Sequence, residues 1–140
     1  MRKIKNCENK LYRIIDANLN RAKEGLRVCE DICRFILDDK KATSVFKSIR
    51  HQLTAVMSSL KISCLVQCRD IENDVGRPTT TAELKREKIT DIFFANSQRV
   101  KESIRVLEEF LKLINRKTAQ DLKALRYKIY ALEKKVTQKF

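Results

Sequence analysis

The chain contains the same helical pattern twice, and this repeat limits the folds that it can adopt. Residues 14–35, IIDANLNRAKEGLRVCEDICRF, match residues 92–113, IFFANSQRVKESIRVLEEFLKL, at an offset of 78 with nine identities in 22 positions. A second pair of segments, FKSIRHQL at 46–53 and LKALRYKI at 122–129, shares a lysine and an arginine. Self-similarity of this kind marks a repeated supersecondary unit. The sequence therefore predicts two copies of one helical pair.

Long helices are expected because residues that interrupt helices are rare. The chain has only two glycines and one proline, and such sparse punctuation leaves few places to turn. Capping residues place helix starts near Thr90 or Asp91 and near Thr118, and Thr81 is expected to cap a short helix. The predicted long helices span about 8–37, 41–66, 90–115 and 118–138.

These elements predict an all-α, four-helix-bundle-like fold made of two duplicated helical pairs with pseudo-two-fold symmetry. Short connections within each pair make its two helices antiparallel neighbours. We expect a single domain over residues 1–140. Repeat one is expected at about 8–66, a functional loop at about 67–89 and repeat two at about 90–138.

The composition favours a cytoplasmic protein with anionic partners. No apolar run approaches the ~20 residues of a membrane span, no signal peptide is recognisable, and five cysteines suit a reducing compartment. The formal net charge of +13, from 31 Lys and Arg against 18 Asp and Glu, favours nucleic acid, phosphorylated metabolites or an acidic membrane surface. Aromatic residues make up only 6% of the chain and mostly follow the apolar stripes, so base stacking on nucleic acid is weakly supported.

Asn18 lies inside the apolar sector of the first predicted helix, and Asn96 repeats it in the second copy. Gly25 lies in the same sector, although glycine costs a helix ~1 kcal/mol relative to alanine, while Arg27 and Glu30 fall on the opposite side. A buried amide must form hydrogen bonds or lose ~1–3 kcal/mol. Two interpretations are open. The amides bond to one another or to a neighbouring helix, or they bind the edge of a planar ligand such as an aminated ring.

Arg21 and Arg99 lie beside these asparagines and are candidate catalytic residues. A guanidinium at the margin of the core can hold a phosphate through two parallel hydrogen bonds. The alternative is an ion pair with Glu24 or Glu102. Such a carboxylate would also serve to orient the arginine or to bind Mg²⁺, so both glutamates are candidate binding residues.

Two further repeated sets are candidate ligand-binding residues. Arg27 and Arg105 point away from the apolar stripe, and an ordinary lattice of charges on the helix surface is the main alternative for them. Arg50 corresponds to Arg126 in the second copy, and these arginines, with His51, are predicted to line the same cavity from the second helices. A lone histidine more often has a structural role.

The segment at 68–84, CRDIENDVGRPTTTAEL, has no helical periodicity and mixes arginines with carboxylates. Loops carry function more often than helices do. Arg69 and Gly76 are candidate binding residues, and Asp70 and Asp74 are candidate catalytic residues that would hold a hydrated Mg²⁺ together with substrate phosphates. The alternative is a solvated turn.

The cysteine spacing raises the question of a zinc site. Cys29 and Cys33, and likewise Cys64 and Cys68, are four residues apart, and four thiolates can bind zinc. However, the second copy has leucines at the positions of the first pair. Cysteine acting as a small apolar residue explains this without a metal, so zinc is not expected.

The runs DANLNRAKEGLRVCEDICRF, RDIENDVG, ANSQRVKESIRVLEEFLKL and LRYKIYALE resemble a thiamine-biosynthesis family whose members occur free-standing or fused ahead of thiamine-phosphate synthase. The resemblance implies hydroxymethylpyrimidine phosphate kinase activity, in a fold unrelated to that of the ribokinase-like enzyme usually responsible. The family pattern falls on Asp16, Asn18, Arg21, Glu24, Gly25, Arg27, Glu30, Asp31, Arg50, His51, Arg69, Asp70, Asp74, Gly76, Asn96, Arg99, Glu102, Arg105, Arg126 and Tyr127.

The implied reaction transfers a phosphoryl group from ATP, with Mg²⁺, to a phosphorylated pyrimidine. Thiamine-phosphate synthase is an implied partner, and we expect a homo-oligomer. At 140 residues the chain is too short for the ~250-residue barrel of the synthase itself. Two other functions compete with the kinase: a non-catalytic accessory or dimerisation domain of the synthase, and a basic helical domain that binds nucleic acid.

Overall fold

Helices are the only regular structure in residues 2–140, the part of the chain that the computed structural model describes, with side chains from Glu8 onward. This confirms the predicted all-α class. The elements are α1 (Arg2–Asp31) with a π-helical turn after it (Ile32–Ile36), α2 (Lys40–Val56) with a 3₁₀ turn after it (Met57–Ser59), α3 (Ile62–Gln67), α4 (Thr81–Leu84), α5 (Ile89–Leu111) and α6 (Arg116–Thr137).

Four long helices, α1, α2, α5 and α6, form the bundle. Helix α1 packs against α2 and α5, and α6 packs against the same two helices, so the four form a ring of neighbours. Helices α1 and α5 are antiparallel, because Gly25 lies against Asn96 whereas Cys29 lies against the Phe93 carbonyl. Two equivalent helices that run antiparallel side by side are what a two-fold axis perpendicular to both produces. The predicted bundle of two related helical pairs is confirmed.

Apolar side chains from the four long helices meet in one core. Leu26, Phe46, Phe93, Ile104 and Ile129 are among its members and are at most 1% exposed. The rings of Phe46 and Phe93 meet edge to face with their centroids 6.3 Å apart, an arrangement that the aromatic quadrupole favours. Burying each such side chain stabilises the fold by about 1.5–3 kcal/mol. No helix in the described part of the chain is both long enough and apolar enough to cross a membrane.

Gly25 allows α1 and α5 to approach each other closely. A Cβ atom at this position would lie 2.6 Å from Val100 Cγ2 and 2.9 Å from the backbone oxygen of Asn96. Real Cβ atoms do not approach other atoms so closely, so any larger residue would push the helices apart. This contact explains why the sequence places glycine in the apolar sector of α1 despite its cost to the helix.

The prediction of one continuous second helix at about 41–66 is wrong. Helix α2 ends at Val56, and a 3₁₀ turn and the separate helix α3 follow. The Ser58 hydroxyl donates to a carbonyl in the last turn of α2 at 2.6 Å, and serine competes with backbone hydrogen bonds in this way. Met57 and Leu65, on either side of the break, are both buried. The apolar periodicity therefore continues across the break and conceals it.

The ends of the first predicted helix also differ from the structure. Helix α1 begins at Arg2 rather than near residue 8, because nothing upstream interrupts it, and its last turn widens into the π-helical turn. Asp38 then adopts a φ of 49°, in the left-handed region that aspartate tolerates better than most residues. The next residue, Asp39, caps α2 by accepting a hydrogen bond from the Ala42 N–H at 3.0 Å.

The predicted caps of the later helices are wrong in detail. Asn115 rather than Thr118 caps α6, accepting from the Thr118 N–H at 3.2 Å. Asp91 is the third residue of α5 and not its cap, although its carboxylate accepts from the N–H of the capping residue, Lys88, at 2.9 Å. Thr81 is the first residue of α4 and not its cap. Asn, Asp and Thr all serve well as caps, so adjacent candidates are not ranked by the sequence alone.

The close approach at Gly25 is tested by replacing it with alanine. We expect Gly25→Ala to lower the free energy of unfolding by about 1–2 kcal/mol, since overpacking outweighs the ~1 kcal/mol gain in helix propensity. Gly76→Ala is the matched control, because a Cβ there would meet its nearest atom at 3.6 Å in an exposed loop. Urea unfolding of both variants measures the difference. Equal or greater stability of Gly25→Ala would show that the helices are not held at this distance.

Candidate functional site

A cavity of about 800 Å³ opens between the N-terminal half of α1 and the loop at 68–77. We call it the α1 cavity. Val106 of α5 contributes to its wall. It combines cationic side chains, carboxylates and amides in one place. The cavity brings together five residues predicted from the sequence, Asn18, Arg21, Arg69, Asp70 and Asp74, and adds Lys10, Arg13, Asp16 and Asn20.

Polar contacts that the helical period does not predict hold the loop against α1. Asp16 and Arg69 form a bidentate ion pair, with Nε–Oδ2 at 2.6 Å and Nη2–Oδ1 at 3.0 Å. Asp16 is only 6% exposed, and its carboxylate also accepts from Asn20 Nδ2 at 3.3 Å. Arg13 Nη2 donates to the Asp70 carbonyl at 3.2 Å. The hydrogen bond to Asp16 and the charge of its carboxylate raise the pKa of the Arg69 guanidinium.

The corresponding half of repeat two is arranged differently. The place of Asp16 is taken by Phe94, which cannot pair with an arginine and is 47% exposed. Asn96 is half-buried, and Arg99 and Glu102 are exposed on α5. None of these three lines the α1 cavity. Arg21 and Glu24 are exposed in the same way as Arg99 and Glu102, so the two repeats differ mainly in the loop that lies against the first helix of repeat one.

Each repeated asparagine bonds to its own helix. Asn18 Nδ2 donates to the Ile14 carbonyl at 2.8 Å, and Asn96 Nδ2 donates to the Ile92 carbonyl at 2.8 Å. Within the described part of the chain, neither amide bonds to the other asparagine or to another helix, so that interpretation is wrong. Arg21 Nη1 lies 3.5 Å from Asn18 Oδ1. Since an amide has two donors and one acceptor oxygen, Asn18 keeps one donor and most of its acceptor capacity for a ligand.

The two loop carboxylates are organised by short local hydrogen bonds. Asp70 accepts from the Asn73 amide side chain at 2.9 Å and from the Asn73 N–H at 3.2 Å, and these bonds lower the pKa of Asp70. Asp74 accepts from the Gly76 N–H at 3.0 Å. No three His, Cys, Asp or Glu side chains are grouped as metal ligands among the described residues. Two carboxylates on one cavity nevertheless fit Mg²⁺, which takes most of its ligands from water and substrate.

Two buried glutamates form the most regular polar feature of the repeats. Glu30 is 3% exposed and Glu108 is 2% exposed. Arg50 Nε lies 3.1 Å from Glu30 Oε2. In repeat two, Arg126 bonds to both oxygens of Glu108. This hydrogen bonding is the main cause of the raised pKa of Arg126. Each pair therefore ties the second helix of a repeat to the first.

Glu30 is buried and does not lie on the outer face of α1, where the helical period predicted it. A helix inside a bundle contacts two neighbours, and α2 covers the side of α1 that α5 does not. The signal that could have found these pairs is in the repeat itself. Glu30 and Arg50 recur together as Glu108 and Arg126, which favours a contact between them.

Several other predicted residues lie away from the α1 cavity. Arg27 lies within 4 Å of both Glu30 and Asp31, at 3.9 Å and 3.6 Å, and Arg105 pairs in the same way with the glutamates of α5. These contacts match the predicted lattice of surface charges. His51 is exposed on α2, and Gly76 is exposed in the loop.

The cysteine pairs lie in different surroundings. Cys29 and Cys33 are buried in the core, and burial raises the pKa of Cys29 to about 12 and that of Cys33 to about 11. Both are therefore neutral thiols near pH 7, and Cys29 Sγ donates to the Phe93 carbonyl at 3.8 Å. Cys64 is exposed and Cys68 is half-buried.

The ion pair between Asp16 and Arg69 is expected to hold the loop closed over the α1 cavity. In Asp16→Asn, tryptic cleavage after the basic residues of 69–88 should become several-fold faster, while the melting temperature changes much less. Glu72→Gln is the matched control, since it removes one carboxylate from the exposed loop without touching α1. Equal cleavage rates for wild type and Asp16→Asn would contradict this role.

Known proteins similar to this chain are named thiamine-phosphate synthase. The protein of that name from Synechocystis is 43% identical over 124 residues, which is 88% of this chain and 35% of the relative. The Nostoc protein is 38% identical over 130 residues, 92% of this chain and 36% of the relative. The Rhodopirellula baltica protein is 38% identical over 128 residues, 90% of this chain and 34% of the relative.

This chain thus spans about a third of the length of these relatives. No solved structure is significantly similar to it. The ThiD2 family matches residues 13–135, which include both repeats and the loop between them. On this match over most of its length, the chain belongs to the ThiD2 family.

Proposed function

We propose that this chain phosphorylates hydroxymethylpyrimidine phosphate with ATP in thiamine biosynthesis. In this reaction an oxygen of the acceptor phosphate attacks the γ-phosphorus of ATP. A new P–O bond forms, the bond to the bridging oxygen breaks, and ADP leaves with that electron pair. The observation that carries the proposal is the α1 cavity, where the asparagine, the arginines and the carboxylates predicted from the sequence meet. The names of the relatives support the pathway.

The chemistry of this transfer suits the residues of the chain. The attacking phosphate is already ionised near neutral pH, because its second pKa is about 6. A strong general base is therefore unnecessary, which agrees with a chain that has a single histidine, exposed on α2. The protein must instead position two highly charged groups in line and offset their repulsion.

The cationic side chains of the α1 cavity provide that positive field. Lys10, Arg13 and Arg21 line the cavity together with Arg69, and fixed cations stabilise a transferring phosphoryl group better than water does. Arg21 contacts Asn18, with Nη1 and Oδ1 3.5 Å apart, so phosphate and pyrimidine contacts would be adjacent. We propose that Arg21 binds the acceptor phosphate.

The remaining polar groups suit the pyrimidine and the nucleotide. The free donor and acceptor of the Asn18 amide match the edge of an aminopyrimidine, which presents an amino group beside a ring nitrogen. Asp70 and Asp74 would hold the Mg²⁺ that neutralises the ATP phosphates. At about 800 Å³, the cavity lies within the ~300–1,000 Å³ of typical small-molecule sites. Roles for Asn96 and Arg99, outside this cavity, stay predictions.

A second candidate function is a non-catalytic accessory domain of thiamine-phosphate synthase. The observation that favours it is the length comparison, since this chain corresponds to about a third of each relative. Turnover distinguishes the two functions. We expect ADP release from Mg-ATP with hydroxymethylpyrimidine phosphate, and none above background with the unphosphorylated pyrimidine or without acceptor. A well-folded chain that releases no ADP, but binds the synthase, would favour the accessory function.

The role of Asn18 is tested by comparing it with its repeat-related partner. Asn18→Ala should raise the KM for the phosphorylated pyrimidine by about 10–100-fold, as expected for one or two lost hydrogen bonds. Asn96→Ala removes the same backbone contact in the other repeat and should change the KM much less. Steady-state kinetics and thermal melts of both variants measure the difference. If both variants only melt earlier with unchanged kinetics, the amides are structural.

A further inference from the structure

A second basic cavity lies between α5 and α6. It has a volume of about 480 Å³ and is lined by four cationic side chains, Arg105, Lys112, Arg116 and Lys123. We call it the α5–α6 cavity. None of these four lines the α1 cavity, which contacts α5 through Val106. The function proposed above does not use this cavity.

The protein balances only part of the charge of the α5–α6 cavity. Its one carboxylate, Glu108, is buried and bonded by both Arg126 and Arg105, and Arg105 also contacts Glu109 at 3.0 Å. Lys112 contacts a neighbouring glutamate at 2.7 Å. Among the described residues, neither Arg116 nor Lys123 forms an ion pair. The Lys123 amine instead lies 6.0 Å from a tyrosine ring.

The start of α6 strengthens the positive field. Arg116 is the first residue of this 22-residue helix, and its first turn contains no acidic side chain. Helix N-termini carry a partial positive charge and usually attract acidic residues. Here two basic residues, Arg116 and Lys117, occupy that turn. Lys40 and Lys41 do the same in α2, so the cavity and not the helix start distinguishes α6.

The corresponding residues of repeat one are arranged differently, since Arg27 and Lys47, the counterparts of Arg105 and Lys123, line two different cavities. Lys40 and Lys47 take the same places in α2 as Arg116 and Lys123 take in α6, 76 residues later. The counterpart of Lys112, however, is Arg34 in the π-helical turn. Its guanidinium lies over the Phe35 ring, 4.7 Å from the ring centroid. Lys40 and Lys47 therefore match Arg116 and Lys123 in charge and in helix position, but they do not line the α5–α6 cavity.

We propose that the α5–α6 cavity binds the phosphates of a small di- or triphosphate, such as the polyphosphate chain of a nucleotide. These four cations and Arg126 face only two carboxylates, Glu108 and Glu109, which leaves an excess positive charge that a single phosphate would only partly neutralise. Arg105 and Arg116 supply planar donors suited to phosphate oxygens. Lys112 and Lys123 add point charges. This binding is separate from the kinase reaction and does not depend on it.

The test follows binding of sodium tripolyphosphate to the full chain by backbone amide NMR at ~150 mM salt, where weak surface contacts are screened. Saturable shifts are expected for the amides of 116–123. Arg116→Gln combined with Lys123→Gln should weaken this binding by at least ~tenfold, since two charge-assisted contacts are lost. Lys40→Gln combined with Lys47→Gln, with the same charge change, should leave it within ~twofold.

The outcomes separate this inference from general electrostatics and from the proposed function. Equal weakening in the two double variants, or the absence of saturable shifts at 116–123, would overturn it. Binding of a duplex oligonucleotide in preference to tripolyphosphate would also overturn it and indicate a nucleic-acid surface. Lys123→Gln alone provides a milder variant if the double variant unfolds. A chain that shows no kinase turnover but binds tripolyphosphate here would leave this inference standing.

Discussion

The close contact between α1 and α5 at Gly25 determines how the two repeats meet. Without a side chain at this position, α5 approaches until the Asn96 carbonyl and Val100 would touch a Cβ atom. This distance brings the apolar stripes of both repeats into one core. The second helices then complete the ring, and each is fixed to its own first helix by a buried glutamate–arginine pair, Glu30 with Arg50 and Glu108 with Arg126.

The two repeats share a sequence pattern but differ in the contacts of their first helices. The asparagine, arginine and glutamate of the repeat are present in both copies, but only repeat one has Asp16, and only there does a loop cross back over the first helix. Phe94 at the equivalent position leaves repeat two uncovered. One ion pair thus holds a loop against the first helix of repeat one, beside the cavity proposed as the substrate site. The cation-rich α5–α6 cavity is a second departure from symmetry, on the other repeat.

The sequence predicted the fold better than it predicted the site. Nine identities in 22 positions and the apolar period were enough for the bundle and its pairing, since both follow from local pattern. The break after Val56 was hidden because burial continues through it. The burial of Glu30 and the contact of Asp16 with Arg69, 53 residues apart in sequence, depend on which helix or loop covers α1. That information lies in tertiary contacts and not in the helical period.

We propose that the α1 cavity of repeat one, and not the corresponding face of repeat two, binds the phosphorylated pyrimidine. Hydrogen–deuterium exchange of the full chain, with and without saturating hydroxymethylpyrimidine phosphate, tests this most directly. Slower exchange is predicted in 10–21 and 68–77, where α1 and the loop line the cavity, with 88–99 unchanged. Protection confined to 88–99, or none in either segment with the ligand bound, would show that the α1 cavity is not the pyrimidine site.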